Sequence, residues 1–549
     1  MTSDPAPARS RQSTRLLLVC GAVMTLAFAL TAFLAPRLDV SDVEATVNAW
    51  CVFEFVGALV VAGLAWATAC WLVVRRNRST RGFWIITGFA VVFRAFAFGA
   101  PPILELDVYR YLWDGFVSVQ GVDPYAYSPA EASEAHRFGD LEPNADLRRL
   151  ATALDHDSTA RTVLDRVHYP TLTTIYPPVA QWVFKNTVRA FQGGSVADWV
   201  FAMKSVFGVG ECIMLLLVGV ALKLARRPLT WLVIPAWCPL IIVSIWNQAH
   251  LDVLPAAPAL GAVLAALVFP PISASIASAA LLALASGMKI YPILLAPLVA
   301  VYIARRSPTG RRAGALTLFG AVFVVVSLIL WKPLIDRWRG ETDGAPRSDI
   351  RQDGFKAFAW RWEMYDSFFA VVEGNLTPTS IDNHSSWYVV VPHEIRGRIP
   401  DPQKVARVIW LGTTALLSLV FAMRIWRNST TQTSLESAFL LLIWFWALSP
   451  VCNPWYLVWA APFLPFAANP GWLLLYALAP ALYLRFGLAA QFGPSGENWF
   501  DNVGVFAFTG TWLIVVVACA WRRYRLESIS TGTIALSDPD RNPSRSTLT

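Results

Sequence analysis

The chain has 549 residues, of which 56% are hydrophobic and only 15% are charged, and its mean hydropathy is +0.48. Soluble domains usually carry about 25% charged residues, so this composition excludes an ordinary soluble protein. The net charge of +8 comes from short Lys and Arg clusters beside apolar blocks, a pattern that orients membrane helices and does not indicate nucleic-acid binding.

Apolar blocks repeat along the chain at the length that crosses a hydrocarbon core of about 30 Å. They predict an all-α polytopic transmembrane protein, and counting the blocks gives about 14 spans. The first block follows a basic stretch but lacks a clear small-residue cleavage site, so we interpret it as an uncleaved helix. The predicted spans are 16–35, 52–74, 83–100, 203–224, 229–247, 251–269, 272–288, 290–304, 313–335, 404–423, 434–449, 455–468, 471–485 and 502–521.

Five basic clusters predict the orientation, because cytoplasmic loops carry an excess of Lys and Arg. The clusters fall on one side if both chain ends are cytoplasmic, and they lie at 75–81, 226–227, 305–312, 424–427 and 522–525. Residues 178–193 are apolar enough to suggest another span, but that span would invert every later loop. We therefore interpret 178–193 as an interfacial or re-entrant helix on the outer face.

The topology divides the chain into a cytoplasmic segment at 1–15, a transmembrane domain at 16–525 and a disordered cytoplasmic tail at 526–549. The tail is predicted from its Ser, Thr, Asp and Pro content. Two long loops, 101–202 and 336–403, come out extracytoplasmic. Both mix aromatic and charged residues, and long loops of this kind usually carry function.

The first outer loop opens with a candidate acid/base site. If 105–119 is helical, Asp107, Tyr111 and Asp114 share one face and Arg110 lies on an adjacent stripe. Two carboxylates and a guanidinium at the mouth of a membrane domain suit proton transfer and phosphate binding. An interfacial helix with solvated charges fits this spacing equally well.

Further polar residues recur at the outer ends of predicted spans, where polar groups are costly and usually functional or paired. Lys289 could instead extend its ammonium to the headgroups, and a lone loop histidine such as His168 is more often structural than catalytic. The seven scattered cysteines show no metal-binding spacing, and we interpret them as packing residues. The polar positions at span ends are Asn247, His250, Asp252, Lys289, Asn453, Trp455 and Tyr456, and His168 and Tyr176 lie within the first outer loop.

Five segments resemble one family of membrane enzymes. The sequence DVYRYLWDG followed by GVDPYAYSP resembles the first extracytoplasmic loop of GT-C glycosyltransferases, which use polyprenyl-phosphate sugars. The later segments IYPPVAQ, HLDVL, MKIYPILLAP and NPWYLVWAAPFL resemble, in the same order, segments of actinobacterial mannosyltransferases. The resemblance extends from about residue 104 to residue 464, across most of the transmembrane domain.

The resemblance implies an inverting transfer of a sugar, expected to be mannose, from a polyprenyl-phosphate donor to a glycolipid or glycan acceptor. The reaction is expected on the extracytoplasmic face of the cell membrane. The family has an essential acidic residue in this loop, so Asp107 becomes the expected general base and Asp114 the second candidate. No adjacent acidic pair is present, so neither a metal nor a cofactor is expected.

The remaining roles follow from the same resemblance and from the chemistry of a departing lipid phosphate. Cations that could hold the phosphate are Arg110, Lys289 and His250. Residues expected at the sugar or acceptor are Tyr111, Trp113, His168, Tyr176, Asn453, Trp455 and Tyr456.

A secondary transporter or flippase of lipid-linked sugars is the alternative, since it would share the many spans and intramembrane polar groups. Transporters often show inverted repeats and midplane charges on broken helices. The sequence shows no such repeat, and its polar residues cluster at the outer span ends, which favours an enzyme. A structural scaffold would explain none of this clustering.

Overall fold

Helices account for nearly all of the described chain. The computed structural model describes residues 6–39, 47–76, 79–138, 144–339, 351–378, 386–467 and 469–536. Within these ranges the only β-type pairings are two isolated bridges. The predicted all-α polytopic class is therefore confirmed.

The helices fall into five groups along the chain. The first group is α1 (Ala6–Leu34), α2 (Ala49–Arg76) and α3 (Thr80–Gly99). The first long loop folds into α4 (Asp107–Val119), α5 (Pro129–Phe138), α6 (Ala145–His156), α7 (Ser158–Asp165) and α8 (Pro178–Ala190). The middle group is α9 (Val196–Leu224), α10 (Val233–Ala236), α11 (Pro239–Ile242), α12 (Val253–Val268), α13 (Pro271–Ser286), α14 (Ala296–Arg306) and α15 (Arg312–Trp338).

The second long loop and the last spans complete the chain. The loop contains α16 (Gly354–Arg361), α17 (Phe368–Gly374) and α18 (His393–Arg396). The last group is α19 (Pro402–Arg427), α20 (Thr431–Leu448), α21 (Gly471–Leu478), α22 (Leu484–Phe492), α23 (Pro494–Trp499) and α24 (Val505–Leu536).

Eight helices in the described residues are long and apolar enough to cross a membrane, and a ninth span arises if the bent pair Leu229–Ala236 and Pro239–Asn247 counts as one. The other predicted spans are shorter or broken. Val253–Val268 and Pro271–Ser286 are short, and 455–468 consists of the 3-10 turns Pro454–Trp459 and Ala461–Phe466. Prolines cause much of this breakage, because they remove backbone donors.

The structure has two chemically different ends. At one end basic residues meet across helices: Arg305 donates to the Trp426 carbonyl, and Arg424 pairs with Glu436 at 2.6 Å. At the other end the turn after α11 meets the start of α4. The side of the membrane that each end faces stays a prediction from the sequence.

The chain's last helix differs from the expected boundary. Helix α24 continues to Leu536, beyond the predicted end of the transmembrane domain at residue 525, and the rest of the predicted tail lies outside the described residues.

Helices α4 and α8 pack closely, and a glycine makes this possible. A Cβ added at Gly115 would lie 2.6 Å from the Phe184 carbonyl oxygen, closer than real side chains approach. Phe184 and Val188 of α8 are buried in this contact. The segment 178–193 is thus a helix of the first loop, and it is not among the helices long enough to span a membrane.

The second loop is joined to the first by a loop clasp, which we define as residues 351–354 and the segments they contact. Gln352 donates to the Thr171 carbonyl at 2.9 Å and accepts from the Thr173 amide at 3.0 Å. Arg351 forms an ion pair with buried Glu131 at 3.7 Å. These contacts join the described parts of the two long loops into one surface, which we call the rim.

Candidate functional site

Asp107 begins helix α4, and its side chain is 35% exposed. The extended segment before it is held by two neighbouring amides from the turn after α11. Asn247 Oδ1 accepts the Ile103 amide at 3.1 Å, and Gln248 Nε2 donates to the Ile103 carbonyl at 3.1 Å. These bonds determine where α4 begins, and so where the carboxylate stands.

Two non-glycine residues beside the site adopt left-handed backbone conformations. Leu104 has φ +60°, and Ala249 has φ +55°. This region costs L-residues roughly 1–2 kcal/mol and persists only where surrounding contacts impose it. Both residues are buried, and they lie in the two segments that meet at Asp107.

His250 lies directly behind Asp107. Its Nδ1 is 3.5 Å from Asp107 Oδ2, and its side chain is fully buried. The imidazole stacks on Trp455, with ring centroids 4.2 Å apart and planes 7° apart. Trp455 therefore fixes the imidazole plane while the carboxylate faces open space.

The charge of Asp107 is maintained by its neighbours. Burial alone would raise the pKa of Asp107, but the contact with His250 and the charges of His250, Lys289 and His168 together hold that pKa below its usual value. Burial, and then the negative charge of Asp107, raise the pKa of Glu105 well above its usual range. These surroundings therefore favour the ionised form of Asp107 and the protonated form of Glu105.

Tyr111 lies one turn after Asp107 and faces it. Its hydroxyl is 3.4 Å from Asp107 Oδ2. Its ring stacks on Phe184 at 4.8 Å and meets Tyr176 edge-on at 4.9 Å. Packing between α4 and α8 thus determines how the phenol reaches the carboxylate.

Lys289 and Asp252 form a second charged pair at the same end of the bundle. Lys289 Nζ lies 2.5 Å from Asp252 Oδ1, and Trp459 Nε1 donates to that same oxygen. The ammonium also lies 4.0 Å from the Tyr456 ring centroid. Asp252 is buried, while the Lys289 side chain keeps 19% exposure and so can meet a ligand.

Arg110 and Asp114 pair with each other and turn away from Asp107. Arg110 Nε lies 2.9 Å from Asp114 Oδ1, and Nη1 donates to the Leu172 carbonyl. Asp114 also accepts from Thr174 and Gln181. Both are buried, so the face that Asp114 was expected to share with Asp107 is occupied by protein contacts, which favours a structural role.

The remaining predicted residues divide into exposed and buried positions. His168 is exposed on the rim. Trp113 is 2% exposed and packs on Phe116, and Tyr176 is buried beside Tyr111. Asn453 is buried, and its carbonyl accepts from Trp446. Of these four, only His168 has a surface that a sugar could reach without rearrangement.

The structure adds residues that the sequence analysis did not propose. Glu105, two positions before Asp107, enters the site because the turn at Leu104 directs the segment inward. Tyr169 from the first loop meets Trp362 from the second, with ring centroids 4.6 Å apart. Tyr169 is 56% exposed, so this pair presents an aromatic surface on the rim. A pairing between distant loops leaves no local signal in sequence.

One comparison with known proteins decides the class of chemistry. Residues 15–145 match the family model described as "Alpha-(1->6)-mannopyranosyltransferase, N-terminal domain", about a quarter of the chain. The matched region includes α4 and Asp107. This match supports a GT-C-like mannosyltransferase. No curated protein and no solved structure matches the chain.

The matched family consists of glycosyltransferases, and its description implies a sugar donor and a glycan acceptor. Its long apolar helices make it a membrane protein. The family match therefore favours an enzyme over the transporter or flippase that the sequence left as the alternative.

Proposed function

We propose that the mannosyltransferase moves mannose from a polyprenyl-phosphate donor to a lipid- or glycan-linked acceptor on the extracytoplasmic face of the cell membrane. The catalytic domain is residues 16–525. The observation that carries this proposal is the half-exposed Asp107 carboxylate, supported by buried His250, at the end of the bundle opposite the Arg clusters.

The proposed mechanism is a single displacement at the anomeric carbon. Asp107 accepts the proton of the acceptor hydroxyl as its oxygen attacks, and the bond to the donor phosphate breaks with its electrons on the phosphate. Direct attack inverts the anomeric configuration. An alpha product, as the matched family's description names, then requires a beta-linked donor.

Donor phosphate binding falls mainly to Lys289 in this proposal, because His250, also expected in this role from the sequence, is fully buried behind Asp107 and supports the base instead. Lys289 keeps an exposed fraction, while its pairing with Asp252 sets its position. Arg110, expected in this role from the sequence, is assigned a supporting one because Asp114 already holds its guanidinium. His168, Tyr169 and Trp362 would contact the sugar or the acceptor.

A donor assay tests the chemistry. The purified full chain in lipid nanodiscs is given polyprenyl-phosphate mannose, polyprenyl-phosphate glucose or GDP-mannose, together with a short alpha-mannoside acceptor. We expect mannosylated product from the first donor alone, with alpha configuration by NMR, and at least about a hundredfold less of it from Asp107→Asn. Transfer from GDP-mannose but not from the polyprenyl donor would overturn the proposal.

A labelling experiment tests the orientation. Arg148 and Lys356 are exposed on the first and second loops, and Thr309 lies at the opposite end. In intact cells, an impermeant thiol reagent should label Arg148→Cys and Lys356→Cys, and should label Thr309→Cys only after permeabilisation. The unsubstituted chain measures labelling of the native cysteines. The reverse pattern would place the site on the cytoplasmic face.

A further inference from the structure

A cavity of about 740 Å³ lies on the side of α4 away from Asp107. Tyr109 lines it, and residues two apart on a helix point in nearly opposite directions. The end of α3, helix α7 and the start of α9 complete its wall. Its volume is within the range of small-molecule sites, and none of the residues assigned above to the reaction lines it.

Two cations line this cavity together with one acid. Arg166 Nη1 lies 3.2 Å from the Tyr109 hydroxyl, and its guanidinium lies over the Tyr109 ring. Lys204 is 2% exposed, and its Nζ donates to the Ala100 carbonyl at 2.6 Å. Asp39 also lines the cavity, so the formal charge of its wall is positive. The chemistry favours an anion.

The side of α9 below the cavity faces outward and is apolar. Exposed residues repeat on one side of this helix over the length that crosses a hydrocarbon core. They are Phe201, Val209, Ile213, Leu216 and Val220. Phe201 also lines the cavity and packs on Phe98, with ring centroids 4.6 Å apart. An anionic headgroup in the cavity would thus have its acyl chains against an apolar helix face.

We propose that this cavity binds the phosphodiester headgroup of an anionic membrane lipid, held by Arg166 and Lys204, with its tails along α9. Phosphate accepts charge-assisted hydrogen bonds from such cations, and Arg suits its geometry best. Because Tyr109 belongs to the helix that Asp107 begins, the bound lipid contacts the catalytic helix from behind. This site is independent of the proposed donor and base.

Native mass spectrometry of the purified full chain, with no sugar donor present, measures this binding. The chain is titrated with phosphatidylglycerol or phosphatidylcholine in detergent. We expect retention of phosphatidylglycerol at lower lipid concentration. Arg166→Gln should weaken it roughly tenfold to a hundredfold, the usual value of a charged hydrogen bond, and Arg166→Lys should restore part of the loss.

Arg148→Gln, an exposed cation on the same loop that does not line the cavity, is the matched control and should bind normally. Asp107→Asn should also bind normally, which separates this site from the catalytic proposal. Equal retention of both lipids, or normal binding by Arg166→Gln, would overturn the assignment. Inorganic phosphate competing as well as the lipid would show a soluble-anion site, and would overturn it too.

Discussion

Nδ1 of the buried His250 imidazole lies 3.5 Å from the half-exposed carboxylate of Asp107, and the face of the imidazole ring stacks on the indole of Trp455. One side of the carboxylate thus meets a fixed partner, and the other remains open to an acceptor. This arrangement gives the proposed base both an orientation and a stable negative charge.

Replacing Asp107 tests the base directly. Asp107→Asn keeps the size of the side chain but cannot accept a proton, and general-base catalysis contributes about 10²–10⁴-fold. We expect transfer to fall at least about a hundredfold at equal membrane abundance, with folding retained.

Asp114→Asn is the matched comparison, because it is the second carboxylate of α4. It leaves buried Arg110 without a charged partner, and breaking a buried pair costs about 3–5 kcal/mol. We expect lower abundance but near-normal turnover per folded molecule. Lost turnover in Asp114→Asn, with normal turnover in Asp107→Asn, would move the base to Asp114.

His250 should determine the acid limb of the pH–rate profile. Burial raises the pKa of Asp107, and the contact with His250 is foremost among the interactions that lower it. In His250→Gln that pKa rises, so the base is protonated at higher pH and kcat/KM falls earlier on acidification. His136→Gln, in the same loop and paired with Asp155, should leave the limb unchanged. An unshifted limb in His250→Gln would contradict this role.

A double-mutant cycle at Lys289 and Asp252 can distinguish the contribution of Lys289 to stability from its contribution to donor binding. Lys289→Met leaves a buried carboxylate unpaired and should cost about 3–5 kcal/mol of stability, whereas adding Asp252→Asn should recover most of it. If Lys289 also holds the donor phosphate, the double variant regains its melting temperature but keeps a raised KM for donor. Recovery of both quantities would leave Lys289 with a structural role alone.

The close contact between α4 and α8 depends on Gly115. Gly115→Ala puts a methyl group against the Phe184 carbonyl, and overpacking of this kind costs about 1–3 kcal/mol. Gly88→Ala, in helix α3, places its new Cβ in open space and should be neutral or slightly stabilising. Thermal unfolding of the two purified variants in one detergent measures the difference, and equal melting temperatures would contradict the packing argument.

Asp366 in the second loop should make stability depend on pH. Burial, and then the charge of Glu363, raise the pKa of Asp366 to about 7. Because the folded pKa lies above the unfolded value, the folded state is favoured at low pH and loses this contribution as pH rises through about 7. Asp366→Asn should therefore raise the melting temperature above that of the unsubstituted chain, and by more at pH 8 than at pH 6. The exposed substitution Glu394→Gln should show no such pH dependence. Lost transfer in Asp366→Asn would instead indicate a catalytic role.

The α4 helix and its face could be predicted because periodicity is local: Asp107 and Tyr111 do share a face. Arg110 and Asp114 are four residues apart on one helix, so their pairing is also local. Sequence could not show that Thr174 and Gln181 would bind and enclose the same carboxylate. The positions of His250 and Lys289 at outer span ends were visible, but their partners were not. Apolar length predicted the membrane domain, whereas prolines broke several of its segments into short turns.

The loop clasp at 351–354 also bears on how the protein matures. Its contacts are hydrogen bonds, among them one from the Gly354 amide to the Thr173 hydroxyl, and the ion pair between Arg351 and Glu131, and all seven cysteines are free. The rim therefore closes without any oxidative step, although it is proposed to face a compartment where disulfides form readily. Thiol reductants during purification should leave the enzyme intact, and the chain can assemble in hosts that lack a disulfide-forming pathway.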